Sequence, residues 1–349
     1  MMKKLSYILV LMLCFATMKG QDIHMSQFTM SPLLLNAASS GGLYTRDVTV
    51  THRNQWSAVT NPFKTFMVAA NTRFGDANKT RRGFWGAGLL AFNDKAGDAN
   101  MRTNAVGLNA AYHIKLSQYQ HLGFGLQGMY MSRFVDFSKL QWGSQYDGGA
   151  HNGALASGET SNQQNFGFAD VNAGIYYTLN NTSADVNVID NNYRQLNLGV
   201  AFHHITTPSY AFGSDSFEEE LYVKMVLHGN ALWSIPNSSL ALAPNFAFYK
   251  QGPHENLNVG SLVRLTINGN SKYTGLVKNY AVFGGLNYRL RDAIITTGMV
   301  EYGNYQFGLS YDFNISKLAV ATAGRGGVEF NFRMFFAGSK IRIMTSGMK

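Results

Sequence analysis

The feature that most constrains this chain is an alternation of apolar and polar residues in short segments. In residues 304–312, the side chains of Tyr305, Phe307, Leu309 and Tyr311 are apolar or aromatic, and polar residues or glycine stand between them. A period of two indicates a β-strand with one apolar and one polar face. We count about fourteen such segments. They lie near residues 43–55, 64–74, 83–93, 102–116, 119–133, 165–179, 195–205, 219–233, 239–250, 256–268, 278–290, 293–301, 304–312 and 326–336.

Residues 1–20 have the pattern of a cleavable signal peptide. Two lysines precede an apolar run over residues 5–15, and a polar stretch leads to Gly20, after which we expect cleavage. A retained membrane anchor is the alternative, but the run is shorter than the roughly 20 residues that cross a bilayer. The only cysteine, Cys14, lies in this part, so the mature chain is expected to have no disulfide and no thiolate site.

The composition indicates a membrane-embedded sheet rather than a soluble enzyme. Charged residues make up 14% of the chain, whereas a soluble domain has about 25%. Glycine occurs 36 times, and no stretch after the signal approaches the roughly 20 apolar residues of a membrane helix. We predict an all-β fold, a transmembrane antiparallel up-and-down β-barrel of about 14 strands over residues 43–338, in the outer membrane. Its apolar face would contact lipid, its polar face would line the lumen, and a basic tail over residues 339–349 would follow.

The lengths of the connections predict the orientation of this barrel. If the N-terminus is periplasmic, every odd-numbered connection faces outward and should be the longer kind. The fifth connection, residues 134–164, is the longest and rich in glycine, so we expect it to be extracellular. The sixth connection, residues 180–194, breaks the rule because it is long and would be periplasmic.

The patterns typical of cofactor, metal or catalytic sites have simpler explanations here. Residues 123–128 match G-x-G-x-x-G, but strand-like alternation continues after them, whereas a dinucleotide site needs a turn and a helix. His203 and His204 would point to opposite faces of a strand and could not share an ion. The acidic residues Asp215 and 218–220 indicate a solvated loop, and no serine has a G-x-S-x-G context. We expect no cofactor, no metal and no enzymatic activity.

The charge of the chain does not indicate nucleic-acid binding. The formal charge of +9 falls to +6 once the three lysines of residues 1–20 are removed. Basic residues are spread along the chain, and no run of them is longer than Arg81-Arg82.

Residues 21–42, between the signal and the first predicted strand, lack the regularity of a helix or a strand. The stretch HMSQFTMSPLLLNAASSGG combines apolar anchors with Pro32 and ends in two glycines. We hypothesise that it folds into the periplasmic half of the lumen and closes it as a plug. The alternative is a disordered periplasmic leader. The candidate residues of this plug, or of the motifs around it, are Gln27, Phe28, Asn36, Arg53, Trp56, Arg289 and Asp292.

Two arginines are candidates for contacting this segment. Arg53 and Arg289 each stand at the outward end of a predicted strand, and Asp292 follows Arg289 closely. Such residues can hold a loop or a plug through charge-assisted hydrogen bonds. They can equally belong to the polar lining that a barrel lumen has in any case, and the sequence leaves both interpretations open.

Several stretches, taken together and in this order, resemble the PorP/SprF family. SQFTMSPLLLNAASSG is followed by HRNQW, and LNLGVAFHHITTPSYAF stands in the middle of the chain. GGLNYRLRDAIITTGMVEYGNYQFGLSYDFNISKL and GRGGVEFNF complete the resemblance, which covers the whole mature chain. Two features depart from the family pattern: Ala37 stands where a proline is common, and the chain continues past its last strand in the basic tail.

This resemblance implies an outer-membrane component of the type IX secretion system of Bacteroidetes-type bacteria. Members of the family look like accessory barrels for the export or surface attachment of large adhesins, including those of gliding motility. The expected partners are outer-membrane lipid, a secreted adhesin with a C-terminal sorting domain, and other secretion components. A passive porin or a transporter of hydrophobic solutes is the alternative function.

Overall fold

The computed structural model describes residues 22–57, 61–75, 82–97, 100–136, 140–158, 165–182, 193–209, 220–268, 280–317 and 319–336. Several parts that the sequence singled out lie outside these ranges. They are the predicted signal peptide, most of the sixth connection, the acidic residues Asp215, Glu218 and Glu219, and the basic tail.

Within the described ranges, fourteen strands form one closed antiparallel barrel. Each strand pairs with its neighbours in sequence, and β1 closes the barrel against β14. The predicted up-and-down barrel of about fourteen strands is therefore confirmed. The strands are β1 Arg46–Gln55, β2 Phe63–Phe74, β3 Gly83–Ala96, β4 Met101–Lys115, β5 Gln120–Phe134, β6 Asn165–Thr182, β7 Tyr193–His203, β8 Lys224–Ser234, β9 Leu240–Gln251, β10 His254–Asn268, β11 Tyr280–Arg289, β12 Ala293–Tyr302, β13 Tyr305–Asn314 and β14 Arg325–Phe336.

The two ends of the barrel differ in what they carry. We call the end where β1 begins, at the pair Arg46 and Phe336, the turn end. We call the opposite end the loop end, since the longest connection, between β5 and β6, emerges there. Arg289 at the end of β11 and His203 at the end of β7 lie at the loop end.

The alternation of the sequence corresponds to the two faces of the barrel wall. On β13, Phe307 and Leu309 are 54% and 50% exposed on the outside. Their neighbours Gln306 and Ser310 are 6% and 1% exposed and point inward. Large apolar side chains cover the outer surface on strands all around the wall, as expected for a face that contacts lipid. No helix in the described ranges is long and apolar enough to cross a membrane.

The inner wall is asymmetric rather than uniformly polar. Buried apolar residues of β2, β3 and β5 lie together on one side, among them Met67, Leu90 and Met129. The opposite side, formed by β11 to β14, carries buried charged residues such as Arg289 and Glu329. A segment inside this lumen can therefore find apolar partners on one side and polar partners on the other.

In the part of the chain that the structure describes, helical structure consists of short turns. The helix α1 spans Pro32–Leu35 and is flanked by single 3-10 turns at Phe28–Met30 and Ala37–Ser39. Pro32 suits the first turn of α1 because that position needs no N–H donor. Two further turns lie at the loop end, a 3-10 turn at Gly143–Gln145 and α2 at Ala319–Thr322.

Candidate functional site: the segment inside the barrel

Residues 22–42, here called the lumen segment, run through the interior of the barrel from one end toward the other. At the turn end, Arg73 of β2 donates hydrogen bonds to the carbonyl groups of Gly41 and Gly42, at 2.7 and 2.8 Å. At the loop end, the carboxylate of Asp22 lies 2.7 Å from the ring of His204. The hypothesis that the segment folds into the periplasmic half of the lumen is too narrow whichever end is periplasmic, because the segment has contacts at both ends.

Apolar side chains of the lumen segment are buried in two clusters. Leu33 and Met25 pack with Leu90 and other residues of the apolar inner wall. Phe28 packs with Leu35 and Val226 on another side of the lumen. Burying a side chain of this size stabilises the folded state by roughly 1.5–3 kcal/mol compared with leaving it in water. The clusters therefore favour a segment held inside over a loose leader.

A carboxylate on the inner wall accepts hydrogen bonds from two backbone N–H groups of the lumen segment. Glu329 of β14 accepts hydrogen bonds from the N–H groups of Ser26 and Gln27, at 2.6 and 2.9 Å. The side-chain amide of Gln27 donates to the hydroxyl of Ser310 at 3.2 Å and to the carbonyl of Glu329 at 3.1 Å. Irregular backbone at membrane depth needs such partners, since no water of the bulk reaches it to replace them.

Both predicted arginines take part in one buried charge network. Asp312 of β13 lies 3.2 Å from Arg53 and 3.0 Å from Arg289. Arg289 also contacts Asp292 at 2.9 Å. Arg53 donates to the carbonyl of His24 in the lumen segment. The structure thus brings Arg53, Arg289 and Asp292 together around the segment, with Asp312 as the shared acceptor.

Asn36 binds the lumen segment to the strands β6 and β7 of the barrel wall. Its side-chain amide donates to the carbonyl groups of Ile175 and Val200, at 2.9 and 3.3 Å. Its side-chain oxygen accepts from the N–H of Ala38 at 2.9 Å and caps the following turn. One side chain therefore fixes both the position of the segment and its local shape.

Glycines on the inner wall provide the room that the segment occupies. A Cβ atom at Gly86 would overlap the carbonyl oxygen of Ser40, and one at Gly125 would overlap the backbone of Ala38. Both obstacles are backbone atoms, which cannot move aside as a side chain can. Gly125 belongs to the G-x-G-x-x-G match, which lies inside β5. Its role is close approach of another chain segment, one of the uses of glycine in a strand.

The first described residue, Asp22, is held in a charged cluster that we call the latch, formed by Asp22, Asp170, His204 and Lys224. The ring of His204 contacts Asp22 at 2.7 Å and Asp170 at 2.8 Å, and Lys224 contacts Asp22 at 3.2 Å. Burial alone would lower the pKa of His204, but the two carboxylates outweigh it and raise the pKa to about 9. Burial would raise the pKa of Asp22, but Lys224 and His204 hold it well below its ordinary value.

Sequence reasoning did not find the latch because it placed His203 and His204 on opposite faces. The strand ends at His203, and His204 has a positive φ of 56° that turns its ring inward. Both rings are buried, and His203 contacts the carbonyl of Leu35 at 3.0 Å. The rule of alternation failed here because it applies only while the strand continues.

Trp56 lies just after the end of β1, beside the lumen segment. It follows β1 with a positive φ of 57°, and its ring meets Phe63 edge-on with centroids 4.9 Å apart. It lines a cavity beside the lumen segment. Among the described residues, no group of three His, Cys, Asp or Glu side chains is placed to hold a metal ion.

Solved structures with similar barrels share little sequence with this chain. The translocator domain of the autotransporter NalP from Neisseria meningitidis matches with a TM-score of 0.39 and 11% identity, covering 89% of this chain and 96% of that one. A Pseudomonas aeruginosa FadL homologue matches with a TM-score of 0.43 and 10% identity, covering 86% and 92%. BamA from Haemophilus ducreyi matches with a TM-score of 0.41 and 10% identity, covering 84% and 70%. No curated protein matches the chain in sequence.

A family model identifies the chain from its sequence. The model of the type IX secretion system membrane protein PorP/SprF matches residues 17–334. The match spans the lumen segment, every strand from β1 to β13 and most of β14. A closed barrel with a lipid-facing apolar surface is the architecture of outer-membrane proteins, which places this protein in the outer membrane. The chain belongs to the PorP/SprF family of type IX secretion system membrane proteins.

Proposed function

We propose that this barrel supports the export or surface attachment of large adhesins, including adhesins of gliding motility, as a scaffold with a closed lumen. The observation that carries the proposal is the lumen segment, which is largely buried and is joined to the wall at both ends. Its partners would be an adhesin with a C-terminal sorting domain and other components of the secretion system. This role needs binding surfaces and no catalytic group.

The lumen segment occupies space in the half of the lumen at the turn end, which supports a scaffold over a passive porin. Barrels of 16 to 18 strands leave a water channel, whereas barrels of about eight are filled by side chains. Fourteen strands fall between these limits, so the lumen segment decides the outcome. The cavity that Phe28, Tyr44 and Arg333 line there has a volume of about 30 Å³, which is room for one or two water molecules. A solute channel would need a continuous path there.

The orientation of the barrel decides which surface an adhesin would meet. By the parity of the connections, the loop end with residues 140–158 would face the outside, and the latch would lie on the same side. An epitope inserted near Gly149 should then be detected on intact cells. Detection only after lysis would place the loop end in the periplasm and move the proposed binding surface to the turn end.

The function itself is tested in cells that lack the gene. The surface display of an adhesin with a C-terminal sorting domain is measured by immunofluorescence on intact cells. It should fall sharply in the deletion strain and return when the wild-type gene is restored. The adhesin should also co-purify with the barrel from membranes. Normal display in the deletion strain would contradict the proposal, because the scaffold would then be dispensable for its partner.

A further inference from the structure

A large cavity lies between the lumen segment and the apolar inner wall, in the loop half of the barrel. Its volume is about 620 Å³, within the range of about 300–1,000 Å³ typical of small-molecule sites. It reaches the rim at the loop end, where Leu290 and Glu255 are exposed. The apolar side chains that line it include Leu34, Leu90, Phe92, Met101, Met129 and Met131.

An apolar lining of this extent is unusual for a barrel lumen, which is ordinarily polar. Met129 and Met131 are inward-facing residues of β5, each less than 10% exposed. Methionine side chains are flexible and polarizable, so they adapt to apolar ligands of different shape. The lining therefore favours a hydrocarbon body over a polar one.

The charged groups around the cavity already have partners in the structure. Arg53 is paired with Asp312, and Lys224 with Asp22. Asp94 accepts a hydrogen bond from Thr65 at 2.6 Å, and the positive charges of Arg53 and Arg133 act on its carboxylate. An ion entering the cavity would lose its hydration without gaining a free counter-charge. The ligand is therefore expected to be uncharged.

The polar groups of the cavity also argue against a peptide. An extended peptide brings one donor and one acceptor per residue, and each needs a partner once buried. The amide of Gln127 is already engaged with Asn109 and Asn172, at 3.0 and 2.6 Å. Among the described residues that line the cavity, the buried atoms Trp56 Nε1, His24 Nε2, Arg53 Nε and Asn256 Oδ1 lack a hydrogen-bond partner. They suit one polar head group rather than a backbone.

We propose that this cavity binds an uncharged amphipathic molecule, with a hydrocarbon body on the methionine-rich wall and a single oxygen atom that accepts from Trp56. The ligand is the acyl tail of a membrane lipid or a free hydrophobic solute, which share this chemistry. The proposal goes beyond the secretion role and does not depend on it, since an adhesin scaffold needs no such ligand.

The experiment uses a thiol inside the cavity of the mature protein, which has no cysteine once residues 1–20 are removed. In Met131→Cys, the rate of reaction with N-ethylmaleimide is followed by mass spectrometry in detergent. Octanol at ten times its Kd should slow the reaction about tenfold, because roughly one site in eleven remains empty. Gly149→Cys, in an exposed part of the loop, is the control and should react at the same rate with and without octanol.

The head-group contact is tested with Trp56→Phe, which keeps the aromatic ring and removes the N–H donor. In the background of Met131→Cys, this change should weaken protection by octanol about fivefold, the effect of one lost hydrogen bond. Protection by octane, which has no oxygen, should stay the same. Equal effects on both ligands would show that Trp56 acts only through packing and would overturn the assigned head-group site.

Repeating the measurement in phospholipid nanodiscs separates the two sources of the ligand. Slow modification without octanol, together with a bound lipid in the native mass spectrum, would identify an acyl tail. Modification as fast as in detergent would identify a free solute. Rates that octanol and octane leave unchanged in both media would overturn the proposal. The native mass spectrum also shows whether the folded protein carries a bound molecule. If it carries none and neither Met131→Cys nor Met129→Cys reacts, the protein itself closes the cavity, and the proposal is likewise wrong.

Discussion

The guanidinium of Arg289 and the carboxylate of Asp312 lie 3.0 Å apart on the inner wall, and the hydroxyl of Ser26 bonds both of them. Ser26 donates to Asp312 at 2.8 Å and accepts from Arg289 at 2.9 Å. A buried ion pair is stabilising only when further hydrogen bonds satisfy its members. The lumen segment supplies one of these bonds, so the wall and the segment depend on each other.

Asp312→Asn should therefore destabilise the barrel strongly. The change leaves Arg53 and Arg289 buried without their shared counter-charge. Removing one partner of a buried pair costs about 3–5 kcal/mol, to be measured as the free energy of unfolding by urea in lipid vesicles. Glu255→Gln is the matched control, because it breaks the exposed pair with Lys250 and should have no measurable effect. Equal effects of both changes would show that the network does not stabilise the fold.

Gly125→Leu should expel the lumen segment from the wall of β5. The new side chain would occupy the space of the Ala38 backbone, which cannot move aside. The segment should then become sensitive to proteinase K at its apolar residues, as read by mass spectrometry, while the barrel stays folded. Gly128→Leu on the same strand is the control, because nothing lies within 4 Å of its Cβ position. A segment that remains protected in Gly125→Leu would contradict the observed path.

The latch predicts loosening of the N-terminal end of the segment at alkaline pH. The pKa of His204 is raised from 6.5 to about 9, so its contribution is complete below about pH 6.5 and is lost as the pH rises through 9. The shift corresponds to about 3 kcal/mol at most. The pKa of Asp22 is lowered, so its contribution is lost only as the pH falls below the ordinary range of a carboxyl group.

Protection of residues 22–27 from proteinase K, measured from pH 6 to 10, should decrease progressively between about pH 6.5 and pH 9. His204→Gln should show at pH 7 the accessibility of the wild type at high pH. Asp170 contacts the ring of His204 at 2.8 Å, so Asp170→Asn is expected to act in the same direction. Lys224, which contacts Asp22, and the ring of His203 are the other titratable groups beside His204. Identical curves for wild type and His204→Gln would rule out the latch.

Leu309→Arg should destabilise the inserted barrel through its lipid-facing side. Leu309 lies in the middle of β13 and is half exposed on the outer face. Arginine at the bilayer midplane costs about 2–4 kcal/mol, and about 0–1 kcal/mol near an interface. Phe313→Arg, on the same face but near the end of the strand, is the control and should cost less. Equal costs in a vesicle unfolding assay would mean that β13 does not cross the membrane at this depth.

The strands and their faces were predictable because each depends on a local pattern. Gln306 and Ser310 could be assigned to the lumen from a period of two alone. The contacts of these residues could not be predicted, because Gln27, which donates to Ser310, lies 283 positions away in the sequence. Alternation alone predicts that Ser310→Arg costs little stability, because the residue faces a polar lumen. The structure predicts that the arginine would displace Gln27, which donates to Ser310. The path of the lumen segment was also beyond the sequence, since it depends on glycines whose open space has no sequence signature.

Conductance in planar bilayers shows whether residues 22–42 close the lumen. Intact protein should show little ion current, because the segment is packed inside the lumen and bound to the wall at both ends. A variant lacking residues 22–41, refolded and inserted in the same way, should open a conductance of a wide barrel. If the intact protein already conducts freely and the deletion changes nothing, the lumen is open and the account of a closed scaffold is wrong.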